Sequence, residues 1–399
     1  MIVEPKFKGP ILLSVHPEGC KKFVEEQIEY VKNCDAKYIG AKKALIIGAS
    51  SGYGLATRIS LAFGGSQADT IGVSFESGPK GRRLGTAGWF NNIAFKSQAE
   101  NAGLTAKNFI GDAFSFEMKD DVIKYIKEEF GGKVDLVVYS LASGRRTDPV
   151  DGVTYVSALK STTGGVEGPT INVEKGELGH QVMGDATEEE LKSTVKVMGG
   201  EDWALWMNAL AEAGVLAEGA RTYAYSYVGP KATHGIYKDG TIGAAKRHLE
   251  QTADELNELM KTKVQGEAYV TVNKALVTKA SAYIPIFPVY AAALFKVMKE
   301  MGLHEGCIEQ THRLFSSMIY GDAAVIDQSR RIRPDDWEMR EDVQAAVEAL
   351  WEKVTPENFK TLTDYEGFRR DFLKLGGFEV EGVDYTKEID IAALAELQP

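Results

Sequence analysis

The sequence predicts an α/β protein built on a doubly wound parallel sheet with helices on both faces. Three observations predict it. Short, wholly apolar runs of strand length recur along the chain, helix-length stretches alternate with them, and glycine-bearing turns join the two. Taken in order, residues 21–34 carry Phe23, Ile28 and Val31 at helical spacing. KALIIGASSGYGLATRISLAFG then reads as a buried strand, a glycine turn and a helix. Further strands are expected at 68–76, 104–113, 134–143, 222–229 and 268–278. Helices are expected at 120–131, 201–217 and 241–262, and a last one over 335–353, where Met339, Val343, Val347 and Leu350 share a face. Residues 145–190 are polar, Gly-rich and Thr-rich, and break the alternation as a hairpin-bearing insertion on the rim. With no repeat and no Pro/Ser-rich linker, residues 1–399 read as a single elaborated domain.

Composition narrows the function classes. A net charge of −11 argues against a nucleic-acid binder, because phosphate neutralisation needs a basic surface. Cys20, Cys34 and Cys307 form no C-x-x-C pair, and the six histidines are scattered, so neither a disulfide framework nor a metal site is expected. The first twenty residues hold no sustained apolar run. The apolar stretch 280–295 is shorter than the ~20 residues of a membrane span and contains Pro285 and Pro288. The expectation is a cytoplasmic protein without integral membrane contact.

The turn Gly48-Ala49-Ser50-Ser51-Gly52-Tyr53-Gly54 follows an apolar strand directly and opens a helix. Glycines there let the backbone approach a pyrophosphate, which the free N–H groups and dipole of the helix stabilise. This context makes the sheet Rossmann-type and the ligand a dinucleotide. Glu76 closes the next strand, twenty-eight residues after Gly48. A carboxylate there accepts from adenosine ribose hydroxyls and repels a 2′-phosphate, which favours NADH over NADPH. Lys80, Arg82 and Arg83 weigh the other way, since they can pair with a phosphate. Asp112 and Ala113 end the third strand near the expected adenine, and Leu141 and Ala142 end the fourth, where open α/β sheets place ligands.

Tyr237 and Lys246 stand nine positions apart, with Gly240 and Gly243 between them. A reductase that delivers hydride to an electron-poor double bond needs a proton donor for the enolate oxygen, and a phenol assisted by an ammonium fits. Lys246 is expected to bind ribose hydroxyls and to lower the phenol's pKa, with Tyr227 reaching the same carbonyl. A Tyr/Lys pair is common by chance in a chain with sixteen tyrosines, so its weight comes from following the fourth cofactor strand. Leu276, Val277 and Thr278 end the last strand, where main chain and a hydroxyl can hold the nicotinamide carboxamide. Residues 280–330 are read as the substrate-pocket segment. In it Ile284, Ile286, Phe287, Val289, Tyr290, Leu294 and Phe295 form either an acyl-chain wall or an ordinary buried helix.

Together these residues carry a family resemblance. GASSGYG (48–54), GTAGWFNN (85–92), VYSLAS (138–143), VMGGEDW (197–203), AYSYVGP (224–230), the Y-x8-K of Tyr237 and Lys246, and VNKALVTKASAYIP (272–285) are its marks. The chain resembles, end to end, the single-chain trans-2-enoyl-CoA reductases, which share their short-chain-dehydrogenase-like fold with the long enoyl-[acyl-carrier-protein] reductases. The resemblance implies an NAD site at Gly48–Gly54, Phe75, Glu76, Asp112, Ala113, Leu141, Ala142, Lys246 and Leu276–Thr278. It implies Tyr237 as proton donor and Tyr227 as a substrate contact. It further implies a monomer that reduces trans-2-enoyl thioesters with NADH, without flavin or metal, the carrier being CoA or acyl carrier protein. The alternative on the same scaffold is an alcohol or ketone oxidoreductase, for which Ser140 and Ser143 are candidate partners of the tyrosine. A non-catalytic NAD sensor is the third reading.

Overall fold

Seven parallel strands form the central sheet of the computed structural model, which describes residues 1–9 and 11–399 and their side chains other than that of Tyr283. They are β1 (Lys43–Ile47), β2 (Asp69–Ser74), β3 (Ala106–Ile110), β4 (Val134–Tyr139), β5 (Leu216–Ser226), β6 (Glu267–Val272) and β7 (Arg331–Ile332). Their spatial order is β7-β6-β5-β4-β1-β2-β3. That is the doubly wound order with its crevice between β1 and β4, and it follows from right-handed crossovers through helices. Leu45 and Ile47 face one side of the sheet, Ala44 and Ile46 the other, and all four are fully buried. A strand covered on both faces has no polar position, which is why these runs are continuously apolar rather than alternating.

On one face lie α4 (Phe116–Glu128), α6 (Glu201–Glu212) and α7 (Thr241–Val264), contributing Val122, Ile126, Trp203, Trp206, Leu249 and Leu256 to the core. On the other, α1 (Pro17–Asn33), α2 (Gly52–Phe63) and α3 (Ala87–Asn101) share a cluster through Val24, Ile28, Leu55, Ile59 and Phe95. A third cluster belongs to α8 (Phe287–Glu300), α10 (Glu341–Trp351) and α11 (Tyr365–Lys374), and Tyr237 lies in it.

The structure shortens several expected strands at their C-terminal ends. β2 stops at Ser74, so Phe75 and Glu76 lie beyond it; β3 stops at Ile110, β4 at Tyr139 and β6 at Val272. One last ladder bond closes each exit, as with Gly48 N to Val73 O (2.9 Å) and Ser140 N to Ile47 O (2.8 Å), before the backbone turns away. β5 instead starts earlier than expected, at Leu216, with an irregularity between Leu216 and Arg221. The helix expected over 335–353 covers Glu341–Trp351, because Pro334–Asp336 forms a separate tight turn and leaves Met339 outside it, and it is not the last, since α11 follows. The short edge strand β7 carries no alternation that the sequence could reveal.

Candidate active site

All of the strand ends named from the sequence emerge along one edge. The parallel registers align Ile47 with Val73 and Tyr139, and Ser226 with Val272, so residues just past each strand share a crevice. At its centre the glycine turn is shaped by contact. A Cβ on Gly54 would fall 1.9 Å from the Gly48 carbonyl oxygen, and Gly48 itself has φ +89°. No side chain caps the N-terminus of α2, which leaves its first N–H groups facing the crevice. Such a cradle fits the pyrophosphate of a dinucleotide. Tyr53 lies in the first turn of α2, where its hydroxyl donates to Lys274 O at 2.7 Å and ties α2 to the end of β6.

The carboxylate of Glu76 is held in place. Ser50 Oγ donates to Glu76 Oε1 at 2.5 Å, and Asn91 Nδ2 anchors the Ser50 carbonyl at 2.9 Å. Phe75 beside it is 81% exposed, an apolar ring at the mouth of the crevice. Asp112 is exposed, with Oδ1 accepting from Phe114 N at 2.9 Å. Ala113 is buried, and its carbonyl accepts from Trp206 Nε1 and Lys119 Nζ. Leu141 is half-buried and Ala142 exposed past β4. On the far side of the glycine turn, Thr278 approaches Gly52, its Cγ2 lying 3.5 Å from where a Cβ would stand. Ser281 Oγ braces that loop by donating to Leu276 O at 2.6 Å. Leu276 and Val277 are buried.

Tyr237 ends a one-turn helix, His234–Tyr237, that leads into α7. Its ring meets Tyr227 edge-on at 4.6 Å and Phe287 at 6.5 Å. Among the described residues none hydrogen-bonds to its hydroxyl. Lys246, one turn into α7, is half-buried, and burial pulls its ammonium down to about 8 against the opposing pull of Glu250. The expectation that Lys246 lowers the phenol's pKa is not what the protein alone does. Burial raises the Tyr237 pKa well above its ordinary value, and the charge of Glu338 adds to that.

Glu338 and Lys274 are the residues that sequence reasoning missed. Glu338 is fully buried. Its Oε1 accepts from Tyr227 at 3.1 Å and from Tyr290 at 2.8 Å, and its Oε2 accepts from Ala275 N at 2.7 Å. Gln344 Nε2 donates to the Glu338 carbonyl at 2.7 Å and to Tyr290 at 3.1 Å. Burial raises the pKa of this carboxyl, while Lys274 and the Ala275 and Tyr290 donors pull it down. Lys274 is buried too, over the ring of Phe295, and burial lowers its pKa to about 8. A lysine inside the apolar run of 272–278 was a signal for Lys274. Glu338 sits among the acids and bases of 331–342 with no local mark, since its partners lie 48, 63 and 111 residues away.

The segment 280–330 is divided in the structure. In its first part Ala282, Ile286, Phe287 and Tyr290 are buried with Tyr237. Ile286 has φ +68°, a strained conformation for a β-branched residue, at the start of α8. The rest turns away, Ile308 packing under α2 and Leu314, Phe315 and Met318 under the sheet. The rim insertion adds to the same cluster. It folds as two hairpins, Arg145–Thr147 with Thr154–Val156 and Val166–Asn172 with Glu177–Met183. Ile171 and Met183 of the second bury against the Tyr237 cluster.

Among the described residues no cluster of His, Cys, Asp or Glu is placed to hold a metal ion, and no helix is long and apolar enough to cross a membrane.

Comparison with known proteins agrees with this geometry. Residues 2–81 match a family model described as the NAD(P)H binding domain of trans-2-enoyl-CoA reductase, and 83–320 one described as the trans-2-enoyl-CoA reductase catalytic region. Residues 326–389 match a model described as an enoyl reductase FAD binding domain. The residues present do not fit a flavin there. β7 runs into a proline turn rather than a glycine cradle, and the neighbouring Arg331 and Arg333 are already paired with Asp327, Glu250 and Asp335. The chain is 57% identical, over the full length of both proteins, to an enoyl-[acyl-carrier-protein] reductase [NADH] of Photobacterium profundum. It is equally identical, again over both full lengths, to a trans-2-enoyl-CoA reductase [NADH] of Clostridium beijerinckii. A crystal structure of the Clostridium acetobutylicum trans-2-enoyl-CoA reductase in complex with NADH superposes with a TM-score of 0.98, at 53% identity and full coverage of both chains. With its crevice, its cradle and its buried tyrosines assembled on this scaffold, the chain belongs to the trans-2-enoyl-CoA reductase family.

Proposed function

We propose that this chain reduces the carbon–carbon double bond of a trans-2-enoyl thioester with NADH, with Tyr237 as the proton donor. Relatives of equal identity are named for the CoA and for the carrier-protein substrate, so the thioester is the common chemistry. Bound NADH supplies the hydride that adds to the β-carbon. The glycine turn and α2 would bind the pyrophosphate, Glu76 the adenosine ribose, Asp112 and Ala113 the adenine edge, Lys246 the nicotinamide ribose, and Leu276–Thr278 the carboxamide. Phe75, Leu141 and Ala142 would flank the cofactor along the crevice.

One observation carries the reading. Tyr237 is a buried phenol whose hydroxyl has no hydrogen-bond partner among the described residues, while the neighbouring Tyr227 hydroxyl is already committed to Glu338. Burial and the charge of Glu338 raise its pKa, so in the protein alone the phenol holds its proton and has one to give. Ser143, one of the two serines that a ketone reductase could use, donates its hydroxyl to Arg145 O at 2.6 Å instead. NADH oxidation with crotonyl-CoA, set against simple ketones, tests the substrate class. Tyr237→Phe should lower kcat by ~10²-fold or more; wild-type turnover in that variant removes the assignment.

A further inference from the structure

A phenol has one proton to donate, and both Tyr227 and Tyr290 direct theirs onto the same oxygen of Glu338. In this arrangement Tyr227 cannot also donate to a substrate carbonyl. Its role passes to its ring, which stands edge-on against Tyr237 at 4.6 Å and 83° and so limits the tilt of the donor phenol. The second oxygen of Glu338 holds Ala275 N, the residue before the Leu276–Thr278 strip. One carboxylate thus joins the substrate-side tyrosines to the loop expected to hold the nicotinamide. It comes from the 326–389 segment, in which no flavin cradle is found.

Burying a carboxylate is expensive, and packing alone would be served better by an apolar side chain or an amide. Here three donors converge on it, Gln344 clamps its backbone, and buried Lys274 offsets its charge. We propose that Glu338 is a positioning residue for proton transfer: it fixes Tyr227, and through Tyr227 the ring of Tyr237, relative to the cofactor loop. The inference rests on the reading of Tyr237 as donor.

The test uses the full-length protein with crotonyl-CoA and NADH, comparing Glu338→Gln, Tyr227→Phe and the double variant. An amide has one acceptor oxygen and an NH2: with the oxygen on the Ala275 N–H, the phenols must accept instead of donate, and with the oxygen on the phenols, the Ala275 N–H loses its partner. Misplacement of the donor predicts a kcat lower by ~10-fold or more in each single variant, with KM for crotonyl-CoA within ~2-fold of wild type. If Glu338 acts through Tyr227, the double variant is no worse than the weaker single. Wild-type kcat in folded Glu338→Gln overturns the proposal, as does a lowered melting temperature with unchanged kcat. So do losses that multiply in the double variant, or a Tyr227→Phe effect seen in KM alone, which marks a direct substrate contact. If Glu338→Gln does not fold, Tyr227→Phe decides, since it keeps the carboxylate and removes one donor. A fully active Tyr237→Phe would instead sink the donor reading. An inactive Tyr237→Phe beside normal Glu338→Gln and Tyr227→Phe would sink only the present inference.

Discussion

The two ends of the crevice are held by different means. At the dinucleotide end the backbone does the holding: a turn of four residues, Gly48–Ser51, between β1 and α2, shaped by glycines that touch neighbouring carbonyls. At the substrate end side chains do it. Tyr237, Tyr227, Tyr290 and Glu338 come from four separate parts of the chain and meet at one buried site. Backbone geometry is set by residues next to one another in sequence, whereas a convergent polar cluster exists only after the chain has folded. The first end is therefore the more sensitive to an added Cβ, and the second to a lost polar side chain.

Beyond the loss expected for Tyr237→Phe, the sharpest way to break this contrast is Gly54→Ala. The new Cβ meets the Gly48 carbonyl oxygen at 1.9 Å, so the turn must open. Overpacking of about 1–3 kcal/mol should appear in urea denaturation, with a drop in NADH affinity of roughly 10- to 100-fold. Wild-type NADH titration would show that the backbone is not what holds the cofactor.

Next in size is the lysine. Because Lys246 loses its proton at about 8, its charged form is present below that pH and disappears as pH rises through it. The rate should fall on the alkaline side near pH 8, and Lys246→Arg, whose guanidinium stays charged, should push that fall upward. Lys246→Ala should raise KM for NADH by ~10-fold through the lost charged hydrogen bonds. An unaltered KM and pH profile would remove Lys246 from the ribose.

The smallest effect belongs to Glu76→Ala. Losing the carboxylate that Ser50 holds should shift the NADH-to-NADPH ratio of kcat/KM by roughly 10-fold or less toward NADPH, the scale of one charged hydrogen bond. A ratio that does not move would mean that the acid reads nothing on the ribose.

Much of the cofactor end was legible in the sequence because its signals are local. β1, its glycine turn and α2 lie within twenty-one residues, Lys43 to Phe63, and the strand ends follow in chain order. What failed there was boundaries: Phe75 and Glu76 were read as strand, but the backbone leaves the ladder at Ser74 to form the crevice edge. At the substrate end Tyr237 was legible through its spacing to Lys246, and Tyr227 through its strand. The partner of Tyr227 was not, since Glu338 lies 111 residues further on, among exposed charges that look the same from sequence. The second hairpin was legible as an insertion, but not that Ile171 and Met183 would bury beside Tyr237.

The sequence by itself determined which backbone turns can exist and which runs must be covered on both faces, because a glycine's freedom and a side chain's hydrophobicity belong to the residue. Only the tertiary structure decided which charges are buried and which phenol hydroxyl is committed to a buried carboxylate. Those properties depend on solvent exclusion and on partners brought from distant parts of the chain, and neither exists before the sheet and the C-terminal helices have packed.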